Sequence, residues 1–220
     1  MRGSAPDNTG AGYKIHKREV TMKILLGMPS TGKIPTRTVI SLLQTVERGK
    51  VDPFIVTGSL VYDARDTIAR FAVDNGYDYI LYCDSDMVFD ADDLKKLLAH
   101  DVGICSGLYV TRDGRNENVV YKKIITRRWF PYRQPKLIAD NETSGFASVA
   151  ACGFGFVLIK TSVVKCMLKY YKSLFEPFKG VGEDIAFCIR ARRCGFKTFV
   201  DRDVKLGHVG EVVYGDGNCN

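Results

Sequence analysis

The sequence predicts an α/β fold: a Rossmann-like, mostly parallel mixed sheet flanked by helices, in a single domain. Three observations carry that expectation. Between Lys23 and Val110 short apolar runs alternate with amphipathic stretches in the order βαβαβαβ, the pattern of right-handed crossover units. The runs at Lys23–Met28 and Tyr79–Cys83 are apolar without alternation, as strands buried on both faces are. The chain has 220 residues, 45% hydrophobic and 26% charged, which suits one domain with a real core.

Met1–Thr21 is polar and without periodicity; its MRGS start reads as an appended expression leader or a disordered segment, so the domain is expected to begin at Met22. KILLGM (23–28) is the first strand. Ile34–Arg48 is helical, with Val39, Ile40, Leu42, Leu43 and Val46 on one broad face and Gly49 as its stop. PFIVT (53–57) is a second strand. Tyr62–Asn75 is a helix with Ala64, Ile68, Phe71 and Ala72 inward and Gly76 at its end. The strand at Tyr79 follows, then a helix Asp90–His100 capped by Asp90, and a strand Val102–Val110.

The rhythm breaks after Thr111. Arg112–Lys136 is rich in Arg and Lys, interleaved with Tyr121, Trp129, Phe130 and Tyr132, and predicts a hairpin and a mobile loop. Regular structure resumes with the strand Gly153–Lys160, helices at Thr161–Tyr171 and Asp184–Arg193, and a strand Phe196–Asp201; residues 211–220 are a tail. No apolar run approaches the ~20 residues a membrane helix needs. The seven cysteines include no C-x-x-C pair and sit mostly in apolar runs, which predicts reduced, buried thiols in a cytoplasmic protein. A net charge of +7 points to an anionic partner without choosing among nucleotide, nucleic acid and membrane. Nothing readable encodes the oligomeric state.

The Tyr79 strand ends in Asp84-Ser85-Asp86. Carboxylates at the C-terminal end of a parallel strand sit where open α/β sheets bind ligands, and with a hydroxyl between them they suit a hard cation such as Mg²⁺ or Mn²⁺. An acidic strand-to-helix turn is the plain alternative. Three other chemistries compete. Gly27–Lys33 has P-loop spacing, but Ile34 stands where Ser or Thr should hold Mg²⁺, and Pro29 lacks an N–H. Asp84–Val88 resembles the haloacid-dehalogenase phosphatase motif, with Asp84 as nucleophile, yet two βα units precede it. The basic aromatic segment would suit a nucleic-acid binder, but no known module is recognisable.

Four stretches in order resemble the GT-A glycosyltransferases, and among them the inverting family 2 enzymes. These are LVYDARDTIARFAV (60–73), similar to an Arg-bearing helix before the metal motif; the D-x-D triplet; CGFGFVLIK (152–160); and GEDIAFCIRARRCGF (182–196) with the later Gly207-His208-Val209-Gly210. Together they cover most of Lys23–Gly210. The resemblance implies a nucleotide-binding half (22–111) and an acceptor half (112–210). It implies a hexosyltransferase that uses Mn²⁺ or Mg²⁺ and a nucleoside-diphosphate sugar, UDP-sugar by default, with a saccharide, lipid-linked or protein acceptor. By the same resemblance Asp84, Asp86 and His208 hold the cation, and Asp184 is the general base, with Glu183 orienting acceptor or base. Pro29, Ser30, Asp63, Arg65, Asp84, Ser85, Gly153 and Gly155 contact the donor. Asp66 stands where relatives often have Asn. Retaining and inverting enzymes share these features, so the stereochemistry stays open.

Overall fold

The computed structural model describes residues 22–58, 60–112, 114–125 and 135–210. The supposed leader, the tail 211–220, and the Trp129, Phe130 and Tyr132 cluster with Arg127, Arg128 and Arg133 lie outside these residues. In chain order the elements are β1 (Ile24–Ser30), α1 (Thr36–Gly49), β2 (Val51–Thr57), α2 (Val61–Asp74), β3 (Tyr79–Cys83), β4 (Met87–Val88), α3 (Ala91–Ala99) and β5 (Ile104–Leu108). The second half adds β6 (Val120–Ile125), β7 (Lys136–Ala139), β8 (Phe146–Val149), β9 (Ala151–Cys152), β10 (Phe156–Lys160), α4 (Thr161–Met167), α5 (Glu183–Arg193), β11 (Thr198–Lys205) and β12 (Gly207–His208).

The main sheet has seven strands in the order β2-β1-β3-β10-β5-β11-β8. The unalternating runs are interior strands as expected: all seven residues of β1 are buried. At the edge, β2 carries Pro53, a residue without an N–H that an edge strand tolerates. The strand after the basic segment departs from the simple βαβ rhythm, because β10 runs antiparallel between β3 and β5. A small sheet, β7-β6-β9, precedes it in the chain. The chain therefore enters β10 from the end where β3 finishes and must run the opposite way. The expected hairpin is present as the antiparallel pair β6 and β7.

Helix α1 corrects the sequence reading. Leu42 is buried, but Ile40 and Leu43 are exposed, and the inward face is completed by Thr38, Ser41 and Thr45. Ser41 explains the rotation: its Oγ accepts the otherwise stranded N–H of Phe89 at 3.1 Å. Gly49 does not supply the left-handed stop; Lys50 does, at φ 50°. A Cβ at Gly49 would come within 3.3 Å of Leu94, so the glycine serves the close packing of α1 beside α3. Asp90 caps α3 as predicted, accepting from Asp92 N–H at 2.9 Å, while the Asp93 carboxylate accepts from Asp90 N–H at 3.0 Å.

Helix α2 lies directly on β1. A Cβ on Gly27 would meet Ile68 Cγ2 at 2.3 Å, so the helix approaches as closely as it does because residue 27 has no side chain. Below α2, the rings of Tyr82, Phe154, Phe175 and Phe187 form one cluster with centroids 4.6–5.7 Å apart. Each buried ring contributes roughly 1.5–3 kcal/mol, and the cluster fixes the floor beneath Arg65. The described cysteines are all free, and most are buried. Among the described residues no helix is long and apolar enough to cross a membrane.

Replacing Gly27 with Ala is expected to destabilise the protein by about 1–3 kcal/mol, the usual cost of overpacking. Urea unfolding measures this; an unchanged midpoint would mean that α2 is free to shift.

Candidate active site

The site forms where β1 and β3 end. Its cleft has a volume of about 540 Å³, with Pro29, Ser30, Arg65, Asp84, Ser85, Asp86, Arg112, Glu183 and His208 on its walls. The turn after β3 is held at three points. Asp84 N–H donates to the Gly155 carbonyl at 3.0 Å, Met87 N–H donates to the Asp84 carbonyl at 3.2 Å, and Val209 N–H donates to the Asp86 carbonyl at 2.8 Å.

Arg65 is the buried hub. It lies on the inward face of α2, only 3% of its side chain exposed, and bridges Asp84 Oδ1 at 2.7 Å and Glu183 Oε1 at 2.8 Å. Its guanidinium rests 5.3 Å from the Phe154 ring, and its carbonyl accepts from the Tyr82 hydroxyl at 2.9 Å. Burial works against the Arg65 charge, but Asp84, Glu183 and Asp184 outweigh it and raise its pKa. Asp84 shows the converse. Burial pushes its carboxyl above the ordinary carboxylate range, and the Arg65 charge and hydrogen bond offset this only in part.

Asp86 and His208 form the second pair. The short antiparallel pairing of β12 with β4 sets His208 opposite Met87 and so brings it back to the D-x-D turn. His208 Nδ1 lies 2.9 Å from the Val110 carbonyl, an acceptor only, so Nδ1 carries a proton. Nε2 then faces Asp86 Oδ2 at 3.4 Å. Either they share a proton, or two acceptors face each other and a cation completes the contact. A histidine that donates its other nitrogen to a backbone carbonyl is the usual arrangement of a metal ligand, so this pair fits a divalent cation. The Tyr109 ring meets the imidazole edge-on at 5.6 Å and steadies it. Burial opposes ionisation of Asp86, but the hydrogen bond and charge of His208, with Arg112, bring its pKa down. The Asp86 hydrogen bond is the largest influence raising His208. Among the described residues no three His, Cys, Asp or Glu side chains converge as a ready metal cluster. Asp84 Oδ1 is engaged by Arg65.

The remaining candidates separate. Glu183 is on the cleft wall. Asp184, at the start of α5, is not among the lining residues; its Oδ1 accepts from the N–H of Ile185 at 2.7 Å, and burial foremost pushes its pKa up to about 6. After burial, its charge helps to raise the Tyr121 phenol. Asp63 is exposed on α2 and away from the cleft wall. Gly153 and Gly155 lie under Tyr109: a Cβ at either would come within 2.0 and 2.8 Å of that side chain. The Tyr109 hydroxyl accepts the Gly155 N–H at 3.1 Å. These glycines make room for a tyrosine that orients His208. Asp66 is not in the cleft either. It anchors the segment leading to α5 by accepting from Leu174 N–H at 2.8 Å, and Arg190 donates to the Leu174 carbonyl at 2.9 Å.

Pro29 belongs to β1, paired with Val56, and the Gly32 N–H is used by Ser30 Oγ at 3.1 Å, so the β1–α1 turn does not present the N–H cradle of a P-loop. Two charged cleft residues are not among the donor-site candidates read from the sequence: Arg112, whose guanidinium contacts Asp86, and Lys33. Tyr109 was also missed. Only the glycines opposite it hinted at a large ring nearby.

No family model matches the chain, and no curated protein does. Solved structures do. The crystal structure of A197 from STIV is 17% identical and covers 90% of this chain and 100% of its own, with a TM-score of 0.57. The crystal structure of GalNAc-T7 with UDP, GalNAc and Mn²⁺ is 13% identical and covers 90% of this chain at the same TM-score of 0.57. The fold is GT-A-like. The chain spans 45% of the GalNAc-T7 chain, and at these identities the likeness concerns the fold alone.

Two stability outcomes follow. Arg65→Met leaves Asp84 and Glu183 without their shared counter-ion and is expected to cost about 3 kcal/mol; a loss below about 0.5 kcal/mol in urea unfolding contradicts the hub. Asp184 ionises with more difficulty in the folded state, where its pKa is about 6, than at its ordinary 3.8. The folded state therefore binds the proton more tightly, and this residue's contribution to stability falls as pH rises from about 4 to 6. At about 1.36 kcal/mol per pH unit the loss is on the order of 3 kcal/mol. Asp184→Asn should remove that dependence, as read from unfolding midpoints across this range.

Proposed function

We propose that the protein is a metal-dependent glycosyltransferase that moves a hexose from a nucleoside-diphosphate sugar, a UDP-sugar in the first instance, to an acceptor hydroxyl. The observation that carries this reading is the Asp86–His208 pair, carboxylate to imidazole at 3.4 Å, on a cleft at the ends of parallel strands. Such a pair is able to hold a divalent cation, and the neighbouring space suits the ligand that brings phosphate oxygens to it. The GT-A-like fold supports the same class of reaction.

In this reading Pro29 and Ser30 line the nucleoside end. Asp86 and His208 hold Mn²⁺ or Mg²⁺, with Asp84 beside them and Ser85 toward the donor. The cation supplies Lewis acidity that offsets charge on the departing diphosphate. Arg65 holds Asp84 and Glu183 at fixed separation across the cleft, so the donor enters a preorganised wall. Asp184 takes the proton of the acceptor hydroxyl, and Glu183 orients the acceptor. A carboxyl with a pKa of about 6 is a better base near neutral pH than an unperturbed aspartate and is still ionised there. Direct attack with this base inverts the anomeric centre. Residues 22–111 form the nucleotide half and 112–210 the acceptor half, with β6 and β7 on the acceptor side. The phosphatase reading has less support, because Arg65 already engages one of the two Asp84 carboxylate oxygens, Oδ1.

UDP is expected to bind in calorimetry only when Mn²⁺ is present, and Asp86→Ala should abolish that binding; equal affinity without metal contradicts the proposal. With a donor found, Asp184→Asn should lower kcat about 10²–10⁴-fold. Wild-type kcat/KM should rise with pH through about 6 as Asp184 loses its proton. Normal turnover by a folded Asp184→Asn variant assigns the base elsewhere.

A further inference from the structure

Asp86 stands between two clefts. The first is the donor cleft. The second, about 660 Å³, is walled by Ile34, Val209 and Gly210, and it shares Lys33, Pro35, Asp86 and Arg112 with the first. The contact of the Arg112 guanidinium with Asp86 is thus part of the partition between them.

The carboxylates of the donor cleft differ in how their counter-ions are held. Asp84 and Glu183 share Arg65, whose side chain is 3% exposed and fixed by packing. Asp86 has Arg112, whose side chain is 56% exposed and comes from the segment after β5. Its other contact is a long one, 3.5 Å to the Val209 carbonyl. An exposed ion pair is a weak one. A divalent cation that gains His208 as well as Asp86 has the stronger claim on the carboxylate, and a released guanidinium matches phosphate oxygens in a planar, two-pronged contact.

We propose that Arg112 exchanges partners as the donor loads: it neutralises Asp86 in the ligand-free protein, yields that carboxylate to the divalent cation, and then binds the donor's diphosphate together with Lys33. The inference rests on the proposed glycosyltransferase reading and adds a diphosphate-binding residue to it. Its consequence is coupling. The metal alone must displace Arg112 with no new partner for the guanidinium, and the diphosphate alone must draw Arg112 from Asp86 with no cation to replace it. Metal and nucleotide therefore strengthen each other's binding by the same factor.

The test reads binding rather than turnover. Mn²⁺ alone is titrated into wild type, Arg112→Met and Arg112→Lys by electron paramagnetic resonance. UDP is then titrated at saturating Mn²⁺ by calorimetry, with Arg115→Met as a control for lost charge on the same segment. Arg112→Met should bind Mn²⁺ alone about fivefold tighter, the equivalent of about 1 kcal/mol. It should bind UDP with Mn²⁺ about tenfold more weakly. Arg112→Lys should keep part of the UDP affinity, and Arg115→Met should change neither. Unchanged Mn²⁺ affinity in Arg112→Met, or unchanged UDP affinity, overturns the exchange. A folded wild type that binds no UDP with Mn²⁺ overturns the underlying reading instead.

Discussion

The double ion pair of Arg65 is the constraint on which the rest of the site depends. Three charged groups meet at the edge of a hydrophobic core, and removing such groups from water is costly unless each is compensated. Arg65 compensates two carboxylates at once, at 2.7 and 2.8 Å. To do so it has to sit on the inward face of α2, which requires α2 close against β1, which in turn requires glycine at 27. The aromatic cluster of Tyr82, Phe154, Phe175 and Phe187 closes the space beneath. Asp66 and Arg190 hold the segment that delivers Glu183. The carboxylates on this side of the cleft are held by a buried counter-ion.

The opposite side of the cleft is built differently. There Asp86 meets an exposed guanidinium and a histidine held by one carbonyl and one tyrosine ring. One wall thus preserves geometry, and the other leaves a carboxylate and an imidazole able to change partners. That division is what a site needs if it is to receive a cation and an anionic ligand together without deforming its base.

Much of this was legible in the chain. Interior strands announced themselves by unbroken apolar runs, α3 by its Asp90 cap, and the cleft by Asp84-Ser85-Asp86 at a strand end. What stayed hidden depended on contacts between distant residues. Arg65 reads as a solvated or ligand-facing arginine until Glu183, far along the chain, is placed beside it. Ile40 and Leu43 match a helical core face as well as Leu42 does; only the unpaired N–H of Phe89 selects the Ser41 side. Gly153 and Gly155 look like room for a sugar, and they are room for Tyr109. The antiparallel direction of β10 follows from where the chain re-enters the sheet, which no local pattern records. The resemblance to GT-A enzymes led to the right fold because its motifs lie at strand and helix ends that this architecture brings together.

The central claim is that His208, returned to the D-x-D turn by β12, is a ligand of the cation that holds the donor. Pulsed electron paramagnetic resonance on the Mn²⁺–UDP complex tests it directly, by detecting nitrogen bonded to manganese. The account predicts an imidazole nitrogen signal that His208→Gln removes and His100→Gln leaves intact. A fully loaded wild-type complex with no directly coordinated nitrogen would contradict it.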